Sequence, residues 1–322
     1  MRRSPAPSVG PMIEAEALTK RYGGKTAVDG LSFAVRPGQV TGFLGPNGAG
    51  KSTTMRMIAG LDRPTKGRAT IAGRAFTDQR DGLHLVGALL DAGEVQGDRR
   101  AVAHLTAAAA TIGLGRRRVD EVLTQVGLLE VAHQRISSYS LGMRQRLGVA
   151  RSLLTDPELL ILDEPSNGLD PAGMAEFRRM IRSFVEQDGR TVFISSHLLD
   201  EVEKIADDIA IVQAGSLVVH GTVAELVAGG AATVRVRVDE PERARVVLGA
   251  LRFVSGVQAP EPRTLDVSVE RVDDESSMAI TRALVESGIG VAEILQRRES
   301  LEERFLEITR GEEPPPVPEP PS

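Results

Sequence analysis

"GPNGAGKST", Gly45 to Thr53, follows the apolar run "VTGFL" and leads into "TMRMIAG". Its spacing is G-x-x-x-x-G-K-[ST], filled by Gly45, Gly50, Lys51 and Ser52. A glycine cluster alone marks a turn. This spacing has a further mechanism: glycines let the backbone curl until several N–H groups point at one anion, and the helix that follows adds its positive end. Pro46, Asn47, Gly48 and Ala49 form the curl, and Thr53 continues the helix opening. Lys51 reaches β- and γ-phosphates, and the Ser52 hydroxyl is a ligand for Mg2+. The short strand before and the helical spacing of "STTMRMIAGL" after favour a phosphate loop over a plain turn.

Working outward, the chain of 322 residues is long enough for two domains. Hydrophobic residues make up 41% and charged residues 26%, as in soluble globular proteins. The net charge of −5 gives no electrostatic case for a nucleic-acid partner. The absence of cysteine rules out disulfides and thiolate metal sites and fits a cytoplasmic location. No run of 18 apolar residues occurs, so no membrane-spanning helix is expected. "MRRSPAPSVGP" lacks the apolar region of a secretory signal and reads as a disordered tail over 1–11.

"IEAEALTKRYGG" and "AVDGLSFAVRPGQ" read as strands, and "KGRATIAG" as another. From about His84 to Leu154 apolar residues recur at helical spacing, which predicts a helical subdomain over 84–154. "ELLILDEP" and "TVFISSH" have the continuous apolar character of buried parallel strands. "PAGMAEFRRMIRSFVEQDG" opens with proline and closes with glycine, as a helix does. "DIAIVQAGSLVVHGT" reads as a hairpin. The alternation predicts an α/β fold with a mostly parallel sheet over 12–228. After "LVAGGAATV" the elements shorten, predicting a small α+β domain over 229–311 and a Pro-rich tail over 312–322.

"LLILDEP" places Asp163 and Glu164 at the end of a buried strand, the end that faces the nucleotide in such folds. Asp163 is assigned to the metal and Glu164 to the attacking water. In "SSYSLGMRQRLGVARSLL", Ser138 or Ser140 supplies a hydroxyl cap to a helix that begins near Gly142 and Met143. This is a second anion site, and one chain does not need two γ-phosphate sites. Two copies facing each other do. His84, His104, His133 and His220 have no partners at ligand spacing, and Arg116 to Arg118 read as a solvated basic run.

Taken together, these motifs resemble the ATP-binding subunits of ATP-binding cassette (ABC) transporters. The resemblance covers about residues 12–228. It implies a phosphate-loop NTPase core with an antiparallel β subdomain and a helical subdomain. Tyr22 would stack on adenine. Tyr139-Ser140-Leu141-Gly142-Met143 matches the signature usually written L-S-G-G-Q, so Ser140, Gly142 and Met143 would meet nucleotide. Asp163 and Glu164 match the metal and catalytic acids, Ser166 to Asp170 the D-loop, and His197 the switch histidine. Two departures stand out: the signature keeps only its serine and second glycine, and the glutamine that meets the metal has Asp91 in its place by spacing, with Gln96 nearby. Both features, and the closing "SLEERFLEIT", are similar to the drug and lantibiotic exporter branch (daunorubicin- and bacitracin-resistance-like cassettes). The resemblance implies ATP and Mg2+ as ligands, a second copy and an integral membrane permease as partners, no nucleic acid, and a place on the inner face of the cell membrane. The alternatives are a soluble cassette acting on ribosomes or nucleic acid, and a module that binds ATP without turnover.

Overall fold

A computed structural model describes residues 10–79, 82–90, 97–228, 232–270 and 272–298. Strands β1 (Ile13–Tyr22) and β2 (Lys25–Val35) alternate buried and exposed side chains and pair antiparallel around Gly23 and Gly24. β3 (Val40–Leu44) is buried throughout and delivers the chain to α1 (Lys51–Ile58). β4 (Lys66–Ile71) returns to pair with β1, giving a three-stranded antiparallel sheet of order β2-β1-β4.

The next stretch holds α2 (Gly82–Leu85), β5 (Val86–Leu89), α3 (Ala101–Thr111), α4 (Arg116–Gln125) and α5 (Leu141–Ser152). The region 84–154 is therefore not helical throughout. Val86–Leu89 is a strand that pairs in parallel with β6 (Leu159–Leu162). Four residues, two of them glycine and alanine, carry too little pattern to stand out beside helical spacing. Helices α3 to α5 pack Leu105, Val119, Val122, Leu123 and Leu147 into one core. Arg118 is not solvated with its neighbours. Its guanidinium donates to the carbonyls of Leu153 (2.6 Å) and Leu154 (2.9 Å) at the end of α5, where a cation satisfies unpaired carbonyls.

α6 (Pro171–Glu186), β7 (Thr191–Ser196), α7 (Leu199–Glu203), β8 (Asp208–Gln213), β9 (Ser216–Thr222) and α8 (Val223–Ala228) follow. The main sheet has the order β5-β6-β7-β3-β8-β9, parallel except for β9, which closes the hairpin read from sequence. Phe33 of β2 stacks on Phe43 of β3 (5.3 Å between ring centroids) and Phe193 of β7 (5.6 Å), and Phe43 and Phe193 meet tilted at 5.2 Å, which joins the two sheets. Such pairs add ~0.5–1.5 kcal/mol each beyond the area they bury. Strand order and helix placement are those of a phosphate-loop NTPase core.

The chain divides into two units between Val223 and Ala224. The second contains all of α8 but its first residue, then β10 (Ala232–Val238), α9 (Pro241–Gly249), β11 (Val254–Glu261), β12 (Thr264–Val269), α10 (Asp274–Glu286) and β13 (Val291–Arg298). Its sheet has the order β11-β12-β10-β13 with every neighbour antiparallel. This is the split β-α-β-β-α-β arrangement of ferredoxin-like domains. Val234, Val236, Leu248, Val267, Ile280 and Leu284 fill its core. Residues 1–9 and 299–322, which include most of the N-terminal tail, "SLEERFLEIT" and the Pro-rich end, lie outside the described residues, as do Asp91 and Gln96. No helix among the described residues is long and apolar enough to cross a membrane.

Candidate active site

The phosphate loop begins where β3 ends. Gly45 has φ +156°, and a Cβ there would stand 2.2 Å from the Val212 carbonyl oxygen of β8. Only glycine fits this approach. Gly45 N–H donates to Ser196 O of β7 (3.3 Å), and Ala49 N–H to Pro46 O (3.1 Å). Gly48 and Gly50 also have positive φ, and Gly50 caps α1. Pro46, Asn47, Gly48 and Ser52 are exposed, while Ala49 and Lys51 are buried and Thr53 is intermediate. The Lys51 side chain turns back under the loop, and its ammonium donates to Gly45 O (2.6 Å) and Pro46 O (3.3 Å).

β6 delivers Asp163 and Glu164 beside this loop. Asp163 is buried, and its N–H donates to Leu89 O (2.7 Å). Its carboxylate accepts from Ser195 Oγ at 2.5 Å, and the same Oγ accepts the Glu164 N–H at 2.9 Å. Glu164 has φ +46°, a conformation that costs a side-chain-bearing residue ~1–3 kcal/mol. That backbone turn sets Glu164 Oε2 2.9 Å from His197 Nδ1 and Oε1 3.2 Å from Lys51 Nζ. The second contact is a charge contact without hydrogen-bond alignment, so Oε1 is a buried acceptor with no hydrogen-bond donor. Residues 51, 164 and 197, far apart in sequence, thus converge on one carboxylate.

Ser140, not Ser138, caps α5: its Oγ accepts the Met143 N–H (3.2 Å), while the Ser138 hydroxyl donates to Arg135 O (2.7 Å). Gly142 faces the D-loop, where a Cβ would meet Leu169 Cδ2 at 3.3 Å. Tyr139 is buried, donates to Val131 O (2.9 Å), and has its phenol pushed up by burial. No hydrogen bond or ion pair among the described residues joins Ser140, Gly142 or Met143 to the Lys51–Glu164–His197 cluster.

Tyr22 ends β1 and is 49% exposed. Its hydroxyl donates to Asp62 Oδ2 (2.9 Å), which also accepts from Arg56 Nε (3.0 Å). Local desolvation and the Asp62 carboxylate push the Tyr22 phenol up. Lys20 Nζ sits 5.0 Å from the ring centre. His84 and His133 are exposed, and burial pushes His104 and His220 down.

Residues 28–167 match the ABC transporter family. The chain is 35% identical over 302 residues to the bacitracin transport ATP-binding protein BcrA of Bacillus licheniformis, spanning 93% of this chain and 98% of that one. The chain belongs to the ATP-binding subunits of ABC transporters. It is likewise 38% identical to the daunorubicin resistance ATP-binding protein DrrA3 of Streptomyces coeruleorubidus, over 92% and 95% of the two chains. Among solved structures it resembles cbiO1 of Clostridium perfringens, part of the ABC transporter complex cbiONQ, with a TM-score of 0.62 and 26% identity over 75% of this chain and 96% of that one. As an ABC ATPase the chain binds and hydrolyses ATP, and relatives named for bacitracin transport, daunorubicin resistance and lantibiotic transport match the branch that the sequence resembles.

The residues of this ABC cassette fit Mg2+ as well. Ser52 and Asp163 offer hard oxygen ligands, and no group of three or more acids or histidines forms a cage among the described residues. Mg2+ suits such a site, because it keeps waters and phosphate oxygens in its shell. Sequence reasoning missed Ser195 and the contact between Lys51 and Glu164. A serine two residues before His197 is a weak signal by itself. Its role rests on the pairing of β6 with β7, which is not a local property.

Proposed function

We propose that this chain is the ATP-hydrolysing engine of a separately encoded membrane permease that exports a drug, an antibiotic or a lipid-like molecule. The observation that carries the reading is Glu164 held between Lys51 and His197 beside the phosphate loop. His197 fixes Oε2, which leaves Oε1 as the oxygen that takes a proton from the attacking water. The γ-phosphate competes with Glu164 for the Lys51 ammonium, so nucleotide entry releases the carboxylate for its role as base. The loop N–H groups and Lys51 hold the β- and γ-phosphates, and Tyr22 offers its exposed ring to adenine. Mg2+, when bound, neutralises phosphate charge, and Ser52 and Asp163 are the residues that would hold it. His197 is a catalytic partner through its bond to Glu164.

Among the described residues Ser140, Gly142 and Met143 make no hydrogen bond or ion pair with their own chain's Lys51–Glu164 cluster, and they open a helix of 12 residues. This supports a homodimer in which each signature helix faces the other copy's γ-phosphate. ATP then closes two copies and hydrolysis releases them, which moves a permease docked on the inner face of the membrane. The names of the bacitracin and daunorubicin relatives support export. The net charge of −5 speaks against a ribosomal or nucleic-acid partner, and Glu164 with His197 against a module without turnover. The test is phosphate release by the purified chain with ATP and Mg2+. Turnover in the parent, with binding kept and turnover lost in Glu164→Gln, is expected. Turnover in Glu164→Gln at the parent's rate would sink the assignment of the base.

A further inference from the structure

Buried serines commonly return their proton to a carbonyl of their own helix. Buried Ser152 Oγ donates to Val149 O and half-buried Ser183 Oγ to Met180 O, each three residues back. Ser195 does otherwise. It is fully buried on β7, and both of its bonds go to the two acids at the end of β6. The register that pairs Leu162 with Ile194 brings Ser195 beside Asp163. A hydroxyl has one proton. Here it goes to Asp163 Oδ1, so the oxygen's lone pair receives the Glu164 N–H.

We propose that Ser195 is a positioning residue that locks Asp163 and Glu164 into one unit, aiming the metal's carboxylate and the base's peptide together. The proposal rests on the reading of Asp163 as the metal acid. Holding Oδ1 fixes the rotation of the carboxylate and leaves Oδ2 for the metal shell. A hydrogen-bonded outer partner of this kind orients a ligand and raises metal affinity. The second bond pins the Glu164 peptide where its backbone takes the unfavoured φ of +46°. Without the hydroxyl, Asp163 is free to rotate and the Glu164 N–H loses this acceptor. No Ser195 side-chain bond reaches Gly45 to Thr53, and the link through the Glu164–Lys51 contact is the one that bound γ-phosphate replaces. The loss therefore falls on metal binding and on kcat, not on metal-free nucleotide binding.

The experiment uses the full chain and a fluorescent ATP analogue, with affinity measured in EDTA and Mn2+ binding to the protein–nucleotide complex read by electron paramagnetic resonance. Ser195→Ala should bind the analogue in EDTA like the parent and bind Mn2+ about tenfold more weakly, within the range for lost outer partners of metal ligands. If the alanine variant does not fold, Ser195→Thr and Ser195→Val serve instead: they share a shape, and only threonine keeps the hydroxyl. Threonine should then hold Mn2+ like the parent and valine should not. Parental Mn2+ affinity in Ser195→Ala or Ser195→Val would overturn the proposal, as would an equal loss of metal-free nucleotide affinity. Asp163→Asn separates the two levels. Weakened Mn2+ binding there with parental binding in the serine variant overturns the role of Ser195 alone, while parental binding in both overturns the metal assignment too.

Discussion

Gly45→Ala would strike the phosphate loop at its tightest point. The added Cβ lies 2.2 Å from Val212 O and 3.2 Å from the Val212 carbonyl carbon. Relief to an ordinary contact requires a shift of about 1 Å. β8 cannot supply it cheaply, because Ile211 is paired with Leu44 on one side and Val219 on the other, and Val212 with Leu217. The loop must move instead. Alanine at φ +156° adds backbone strain of ~1–3 kcal/mol, and the displaced packing adds ~1–3 kcal/mol. The sum, ~2–6 kcal/mol, should lower Tm by roughly 5–20 °C in a unit of this size. A loop moved by about 1 Å also lengthens its N–H contacts to phosphate. Bonds to a charged group contribute ~1.5–3 kcal/mol each, so losing two weakens ATP binding by about 100-fold or more. Calorimetric unfolding and titration with a fluorescent ATP analogue measure both. A Gly45→Ala protein with parental Tm and an affinity within about threefold of the parent would refute this account of the loop.

Lys51→Ala should abolish tight ATP binding and turnover, because Lys51 is the side-chain cation held at the loop, and near-normal phosphate release would contradict that. Gly142→Asp should leave ATP binding by the isolated subunit intact while blocking ATP-driven association; loss of binding in the monomer would place Gly142 in its own chain's site. Mixing Gly142→Asp with Lys51→Ala leaves one shared site intact in each mixed dimer, so partial return of ATP-dependent association is expected. Stability should fall on mild acidification. Burial, the largest cause, pushes both His104 and His220 below the ordinary value of 6.5, so the unfolded chain binds their protons first. The neutral-ring contribution is complete above 6.5 and is lost as pH falls through the lower folded values. Urea midpoints across this range for the parent and His104→Gln should diverge, and identical profiles would remove His104 from the explanation.

The parts of the site legible in the sequence are those whose chemistry is local. Gly45, Gly50, Lys51 and Ser52 sit within eight positions, and Asp163 and Glu164 follow a short continuous apolar run with the look of a buried strand. The parallel strands β3, β6 and β7 were legible for the same reason: each is a short apolar run. What needed the structure depends on pairing across the chain. β5 is defined by its register with β6, not by its own four residues. Arg118 looks like its neighbours until the end of α5 arrives beside it. The second unit showed alternating elements, but its ferredoxin-like order comes from β12 lying between β10 and β11, a contact between distant segments. Lys51, Glu164 and His197 were each readable; their meeting on one carboxylate was not.

The most direct test of the account is the mass of Glu164→Gln in sedimentation velocity with ATP and Mg2+. With the base replaced by an amide of the same shape, ATP should bind without being consumed. Two signature helices should then close over two phosphate loops, giving a stable species of twice the chain mass that falls back to monomer with ADP. A protein that holds ATP yet sediments as a monomer would contradict the claim that two copies share the site.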